Sequence, residues 1–318
     1  MDYYIGVDIG GTKISYGLFD EKLKLLAKQK LVSNETLEGM EYFGAIADNI
    51  KNFIQNIQLN FSDVKGVGIG IAGFVDFEHG KLIRSPSLPK LLDFPVTDFM
   101  KEKLGGNLRI VVDNDSHSGA LAEYRRGAGR HHCHMLFCPV STGISTGIII
   151  DGKLFRGSNG ASGESGHMLT AVEGQLRIPC GCGNSGCFNS LCSGKAITNH
   201  IRRWISEGEM SVMSELAGGA ENITAEHINL AYELNDAMAV KAIEQMSQYM
   251  AMWLFNVYML FNIDCFVFSG GLLAIGDKLF GRVKELFSQY QHNGFEVCFY
   301  KSELGPDSGL IGAVELLF

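Results

Sequence analysis

The sequence predicts an α/β fold. Strand-like and helix-like runs alternate along the chain, an opening strand–turn–strand pattern returns at 136–153, and 39 glycines stand against 6 prolines. Residues 4–19 (YIGVDIGGTKISYGLF) read as two β runs joined by a Gly-Gly-Thr turn. A helix is expected at 37–57, and a strand from Val64 to Ile71, where apolar residues alternate with glycine. Residues 95–104 read as a helix, Leu108 to Val112 as a short buried strand, and 116–126 as the helix after it. LFCPVSTGISTGIIIDGK (136–153) then repeats the layout of YIGVDIGGTKISYGLFDE (4–21), which suggests a duplicated domain.

Residues 157–195 are rich in Gly, Cys, Ser and Asn and poor in periodicity, the mark of a functional or metal-stapled segment. Residues 224–261 read as helical, with a core stripe of Met246, Met250, Met252 and Leu254 in a long helix over 235–261. A buried strand follows from Asp264 to Phe268, ending in Ser269-Gly270-Gly271, and a short helix closes the chain from Ser308.

A chain of 318 residues is long enough for two domains with cores that need no disulfide staples. The formal net charge of −8 argues against nucleic acid as a partner. The densest basic group, Arg125, Arg126, Arg130, His131 and His132, reads as a solvated loop. The most apolar stretch, Met250 to Phe268, is broken by Asn256, Asn262 and Asp264, so no membrane span is expected. With no targeting segment ahead of the first strand, the expectation is a cytoplasmic protein with reduced cysteines.

Four groups of residues carry chemistry. In Asp8-Ile9-Gly10-Gly11-Thr12-Lys13, two glycines let the backbone approach an anion, the amides and the Thr hydroxyl can bind phosphate oxygens, and Asp8 can help hold hydrated Mg²⁺. A plain type I′ hairpin turn would use the same glycines. Its counterpart in the repeat is Ser141-Thr142-Gly143. No Walker A loop is present, because Gly194-Lys195 is followed by Ala196. The formal G-x-G-x-x-G at Gly68, Gly70 and Gly73 runs into a turn instead of a helix, so it is not a dinucleotide fingerprint.

Asp113-Asn114-Asp115 lies between a strand and a helix, where a carboxylate either accepts a proton from a hydroxyl or caps the helix. The spacing H-x12-C-x-C-x4-C of His167, Cys180, Cys182 and Cys187 matches a closed tetrahedral zinc site, with bends at Gly181, Gly183 and Gly186. Such a site leaves no open position, so the zinc is structural. Glu164, three residues before His167, would be fixed along with it and able to read sugar hydroxyls.

In this order, DIGGTK (8–13), GIAGFVD (70–76), DND (113–115), STGISTGIIIDGKL (141–154), GASGESGHM (160–168), CGCGNSGC (180–187), SGGLLAIGD (269–277) and SGLIGAVEL (308–316) resemble the ROK family of repressors, open reading frames and kinases, essentially end to end. The resemblance implies two RNase-H-like, actin-like ATPase domains around a central cleft, with a structural zinc loop. It implies a small N-terminal domain of residues 1–117 plus 305–318 and a larger domain of 118–304. It also implies ATP-dependent phosphorylation of a hexose, usually at the 6-hydroxyl, with glucose first and N-acetylmannosamine, N-acetylglucosamine, mannose, fructose or allose open.

By the same resemblance Asp115 is the catalytic base. Gly73, Asn114, Asp115, Glu164, His167 and Asn189 bind sugar, Asn189 standing where the family usually has Glu. Asp8, Gly10, Gly11, Thr12, Thr142 and Gly143 serve the phosphates, and Gly270 and Gly271 the adenosine end. His167, Cys180, Cys182 and Cys187 hold the zinc. ATP and Mg²⁺ complete the set, and a homodimer or homotetramer is expected.

The chain departs from the family pattern at Ser141, Ser145 and Thr146, where glycines are usual, and at Ala72, Ser87 and Asn189. These departures bear on substrate more than on fold. Family repressors carry a DNA-binding domain ahead of the first phosphate motif, and Asp8 is expected to leave no room for one. A sugar-binding protein with weak or absent transfer is the alternative to an active kinase.

Overall fold

The computed structural model describes residues 2–105, 107–170, 178–292 and 294–318. The expected irregular segment includes 171–177, which lie outside the described residues. In chain order the first elements are β1 (Tyr3–Ile9), β2 (Lys13–Phe19), β3 (Leu25–Val32), α1 (Gly39–Asn56) and β4 (Val64–Ile71). Then come β5 (Phe74–Asp76), β6 (Lys81–Arg84), β7 (Leu92–Phe94), α2 (Val96–Leu104), β8 (Arg109–Asn114) and α3 (Asp115–Arg126). The middle holds β9 (Met135–Pro139), β10 (Gly147–Ile150), β11 (Lys153–Phe155), α4 (Asn189–Cys192), α5 (Gly194–Ser206) and α6 (Met213–Leu216). The chain closes with α7 (Ala225–Glu233), α8 (Ala237–Phe261), β12 (Cys265–Ser269), α9 (Asp277–Tyr290), β13 (Cys298–Lys301) and α10 (Ser308–Glu315).

Contacts divide the chain into two compact units, one of residues 1–135, 147–163 and 302–318, the other of 136–146 and 164–301. The boundary expected at residue 117 falls inside the continuous helix α3. The first unit is built on a mixed sheet of order β3-β2-β1-β4-β8, antiparallel from β3 to β1 and parallel from β1 to β8. Alternation decides its two faces. Ile5, Val7, Ile9, Val67, Ile69 and Ile71 join Phe43, Ile46 and Ile50 of α1 and Val96 and Met100 of α2 in one core.

The opposite face of β1 and β4 carries Gly6, Gly66, Gly68 and Gly70. There the backbone of α10 comes down on the sheet: a Cβ at Gly6 would strike Leu310 O, and one at Gly68 would strike Ala313 O. Gly312 of α10 meets α3 in the same way, at Ser118 O. The contact ends in an ion-pair cluster. Buried Glu315 accepts from Arg125 Nη1 at 2.8 Å and pairs with Arg126 Nε. Arg125 and Arg126, expected in a solvated loop, therefore sit in the last turn of α3 and hold α10. Favourable placement of cations at a helix C-terminus adds to this.

The second unit has β12 at its centre, parallel to both β9 and β13. The long α8 packs against α9 and α4, burying Met246, Met250, Trp253 and Leu254. Met252 of the expected stripe is instead 38% exposed, because it lies off the buried side of the helix. The helical stretch expected over 224–261 is broken between α7 and α8, where Asn235 adopts φ 56° and Asp236 caps α8 through the Ala239 amide. Short strands β5 to β7 and strand β3 were not signalled: β3 has no fully buried position, alternating half-buried and exposed residues, several of them polar, and β5 to β7 are only three or four residues long.

Gly68→Ala is expected to destabilise the protein by at least about 1–3 kcal/mol, the range for overpacking a filled site. Gly44→Ala in α1 meets no atom within 4 Å and should be neutral or stabilising, by up to about 1 kcal/mol. Urea unfolding of both variants checks this; equal effects would refute the close-packing account.

Candidate active site

In the first unit, the turn after β1 closes with Gly10 N–H donating to Lys13 O at 3.0 Å. Neither Gly10 nor Gly11 has a positive φ, so this is not the type I′ turn that glycine pairs favour. Gly11 is demanded by space: a Cβ there would lie 2.8 Å from the Ser87 Cβ. Thr12 at the tip is exposed.

Asp8 sits at the end of β1, with its carboxylate against Gly309, where a Cβ would lie 2.6 Å away. Burial, then the charge of Asp115, push the Asp8 carboxyl up to about 6, against the pull of Lys13 and Lys30. A carboxylate in this state is stabilised by a nearby cation, as Lys13 and Lys30 already do in part.

At the β8–α3 junction the capping role considered for Asp113-Asn114-Asp115 falls to Asn114. Asn114 is the cap: its Oδ1 accepts from the amides of Ser116 at 2.8 Å and His117 at 3.2 Å. Its Nδ2 donates to Gly73 O at 2.9 Å. Gly73 is itself fixed by space, since a Cβ there would lie 2.6 Å from Arg84 O. Asp115 stands at the first position of α3, its Oδ1 sharing the Ser116 amide with Asn114 at 2.8 Å. Burial raises its carboxyl above the ordinary value.

Asp113 is fully buried and paired: His117 Nδ1 lies 2.9 Å from Oδ1, and Arg156 Nε donates to Oδ2 at 2.7 Å. Burial opposes its charge, but His117 and Arg156 outweigh burial and hold it below the usual carboxylate range. His117 Nε2 lies 3.2 Å from Ser162 O, and Arg156 stacks 3.6 Å over the Phe77 ring. This buried network orients the start of α3. Sequence reasoning missed it, because Arg156 lies 43 residues from Asp113.

In the second unit the cysteine–histidine group closes as the spacing predicts. His167, Cys180, Cys182 and Cys187 place one donor atom each within 4.8 Å of one another. His167 Nδ1 lies 3.5 Å from Cys180 Sγ, and the Cys182 and Cys187 sulfurs lie 3.7 Å apart. Tetrahedral zinc would set these separations at about 3.5 and 3.8 Å, from Zn–N and Zn–S bonds of about 2.0 and 2.3 Å. The donor set therefore fits zinc. Gly183 (φ 96°) and Gly186 (φ 80°) make the bends, whereas Gly181 needs no left-handed backbone. His167 turns Nε2 toward Glu164 Oε2, 3.8 Å away, on the side opposite the sulfurs.

A second cluster, Cys133, His134 and Asp151, does not fit a metal ion. His134 Nδ1 accepts the Asp151 amide at 3.1 Å, which keeps the ring proton on Nε2 and leaves no free nitrogen lone pair.

Of the expected phosphate and nucleotide residues of this unit, Thr142 and Gly271 line one cavity of about 410 Å³, together with Ser141, Lys195, Thr198, Glu226 and others, while Gly143 and Gly270 lie outside its lining. Gly270, at φ 101°, carries the chain past Val140 O, where a Cβ would lie 2.5 Å away. The N-terminus of α5 closes another wall, with Gly194 N–H donating to Ser141 O at 2.7 Å. Lys195 was weighed only for a Walker A loop; the Ser193 cap ahead of α5 was the signal that a helix starts at this cavity. Of the atypical loop residues, Thr146 is buried and turns inward, its Oγ1 donating to Ser165 Oγ at 3.1 Å. Asn189 bonds the same loop, its Oδ1 accepting the Ile144 amide at 3.0 Å.

The ROK family model matches residues 4–318. The glucokinase of Thermotoga maritima is 31% identical over 98% of this chain and 96% of its own length. The glucokinase of Halalkalibacterium halodurans is 29% identical over 98% and 93%. A xylose repressor of Bacillus spizizenii is 27% identical over 98% of this chain but 75% of its own length. Among solved structures, a ROK family glucokinase of Streptomyces griseus in complex with glucose and AMPPNP superposes with a TM-score of 0.84 at 29% identity, over 99% and 98% of the two chains. Among the described residues no helix is long and apolar enough to cross a membrane.

Two outcomes are expected from this geometry. Cys182→Ser should lose its zinc and melt at lower temperature, as read by metal analysis and thermal unfolding; full metal content would remove Cys182 from the ligand set. Between pH 3.8 and about 6 the folded protein holds more protons at Asp8 than the unfolded chain, so this group costs stability as pH rises through that window. Without nucleotide, Asp8→Asn should match the parent protein near pH 4 and exceed it at pH 7, by about 1–3 kcal/mol. A variant less stable than the parent at pH 7 would contradict the burial assignment.

Proposed function

As a member of the ROK family and a ROK-type sugar kinase, this chain, we propose, transfers the γ-phosphoryl group of ATP to a hexose hydroxyl, with glucose the first substrate and the 6-hydroxyl the first site. The observation that carries the reading is the division of labour at the head of α3. Asn114 satisfies the helix, and Asp115 presents a carboxyl of raised basicity beside it.

A base of raised pKa is a better proton acceptor at neutral pH than an ordinary carboxylate. Asp115 takes the proton from the sugar hydroxyl as its oxygen attacks phosphorus. Asp113, charge-compensated by His117 and Arg156, keeps the junction rigid without competing for that proton. Glu164 and His167 Nε2 offer an acceptor and a donor to sugar hydroxyls, and the remaining amide hydrogen of Asn114 offers another donor.

Phosphoryl transfer asks mainly for alignment and charge neutralisation. The amides of Gly11 and Thr12 in the first unit, and those of Thr142 and Gly143 in the second, each offer donors to phosphate oxygens, and the cavity of the second unit at Thr142 and Gly271 takes the nucleoside end. Mg²⁺, when bound, neutralises phosphate charge, and Asp8 is the residue that would hold its hydration shell. Zinc, when bound, fixes the loop of His167; it has no open coordination position for chemistry.

ADP release with Mg-ATP against glucose, mannose, fructose, allose, N-acetylglucosamine and N-acetylmannosamine tests this. Asp115→Asn should lower kcat by at least about 10²-fold with sugar binding retained. Parental turnover in that variant would refute the base. Absence of turnover with every sugar, from folded zinc-loaded protein that still binds sugar, would favour a sugar-binding protein without transfer.

A further inference from the structure

Asn189, we propose, is a positioning residue that fastens the loop 141–144 to the cysteine loop, in place of a direct role on the sugar. The inference rests on the reading of 141–143 as a phosphate loop given above. Position 189 opens α4, directly after Cys187 and Phe188. From there the side chain reaches in two directions. Its Oδ1 accepts the Ile144 amide at 3.0 Å, and Ile144 is buried, so that amide has no water to turn to. Its Nδ2 lies 3.9 Å from Cys180 Sγ, a long contact of the kind an N–H makes to sulfur.

Gly143 is part of the same fit: a Cβ there would lie 3.1 Å from Asn189 Oδ1. The loop is then fixed at both ends, since Ser141 O takes the Gly194 amide at 2.7 Å at the start of α5.

The chemistry of the amide explains why Asn suits this position. A cluster of three thiolates and one imidazole around a divalent ion carries net negative charge. An amide hydrogen is attracted to it, whereas a carboxylate would be repelled. Glutamate at 189 would also be one methylene longer and would turn its charge away from the sulfurs, losing the Ile144 bond. Asn189 thus exchanges a charge available to substrate for a tether between two loops.

Three readouts test the tether. In Asn189→Ala the Ile144 amide should exchange with deuterium at least tenfold faster, whether or not any sugar is turned over; unchanged protection would overturn the tether outright. The KM for ATP should rise about five- to thirty-fold while the sugar KM moves less than twofold and zinc content stays stoichiometric. A raised sugar KM with an unchanged ATP KM would place Asn189 on the sugar instead. Asn189→Asp keeps the acceptor and should restore the ATP KM to within about threefold of the parent, with weaker zinc retention against a chelator. Binding of AMPPNP measured calorimetrically on parent and variants separates the two levels. Loss of affinity in Asn189→Ala alone supports the tether, equal affinity in both overturns it, and failure of the parent protein to bind any nucleotide would instead bring down the kinase reading.

Discussion

The approach of α10 onto the glycine-lined face of β1 and β4 is the constraint on which the rest of the first unit depends. The backbones meet where side chains normally intervene, so Gly6, Gly68 and Gly312 carry no Cβ that would fit. Close backbone packing gains dispersion contacts over a large area and leaves no room for adjustment. It brings the last helix of the chain against its first strand and clamps it with Glu315 between Arg125 and Arg126. Asp8, Gly309 and Asp115 thereby come into one neighbourhood, and the burial that results raises both carboxyls.

The second unit solves a different problem. Its cysteine loop has little apolar periodicity, so hydrophobic burial alone does not order it. Four donor atoms within 4.8 Å of one another converge there, and left-handed turns at Gly183 and Gly186 make that approach reachable. Order in that loop then spreads by hydrogen bonds, through Asn189 to Ile144 and through Ser141 to the start of α5. The cysteine–histidine loop thus supports both the Glu164 side and the cavity side of the unit.

The alternation of glycine with β-branched residues in VKGVGIGI made β4 legible, and the later structure showed what the glycines face. The cysteine–histidine group was legible because metal coordination needs a fixed number of donors of known type, and close spacing in sequence brings these four together. The head of α3 was ambiguous for a good reason. A carboxylate at a strand–helix junction can serve as cap or as base, and here the neighbouring amide of Asn114 makes the capping bonds. Arg125 and Arg126 were misread because their partner Glu315 lies 190 and 189 residues away.

The sequence by itself determined the α/β class, the strands and helices with strong period, the cysteine–histidine ligand set and the family to which the chain belongs. These follow from local periodicity, ligand spacing and an ordered set of motifs. Tertiary structure alone decided which of Asn114 and Asp115 caps α3, how Arg156 and His117 balance the buried Asp113 charge, and what Asn189 holds. Each of those depends on burial and on partners distant in sequence. Desolvation and hydrogen-bond pairing arise only when the chain has packed, so no local pattern encodes them.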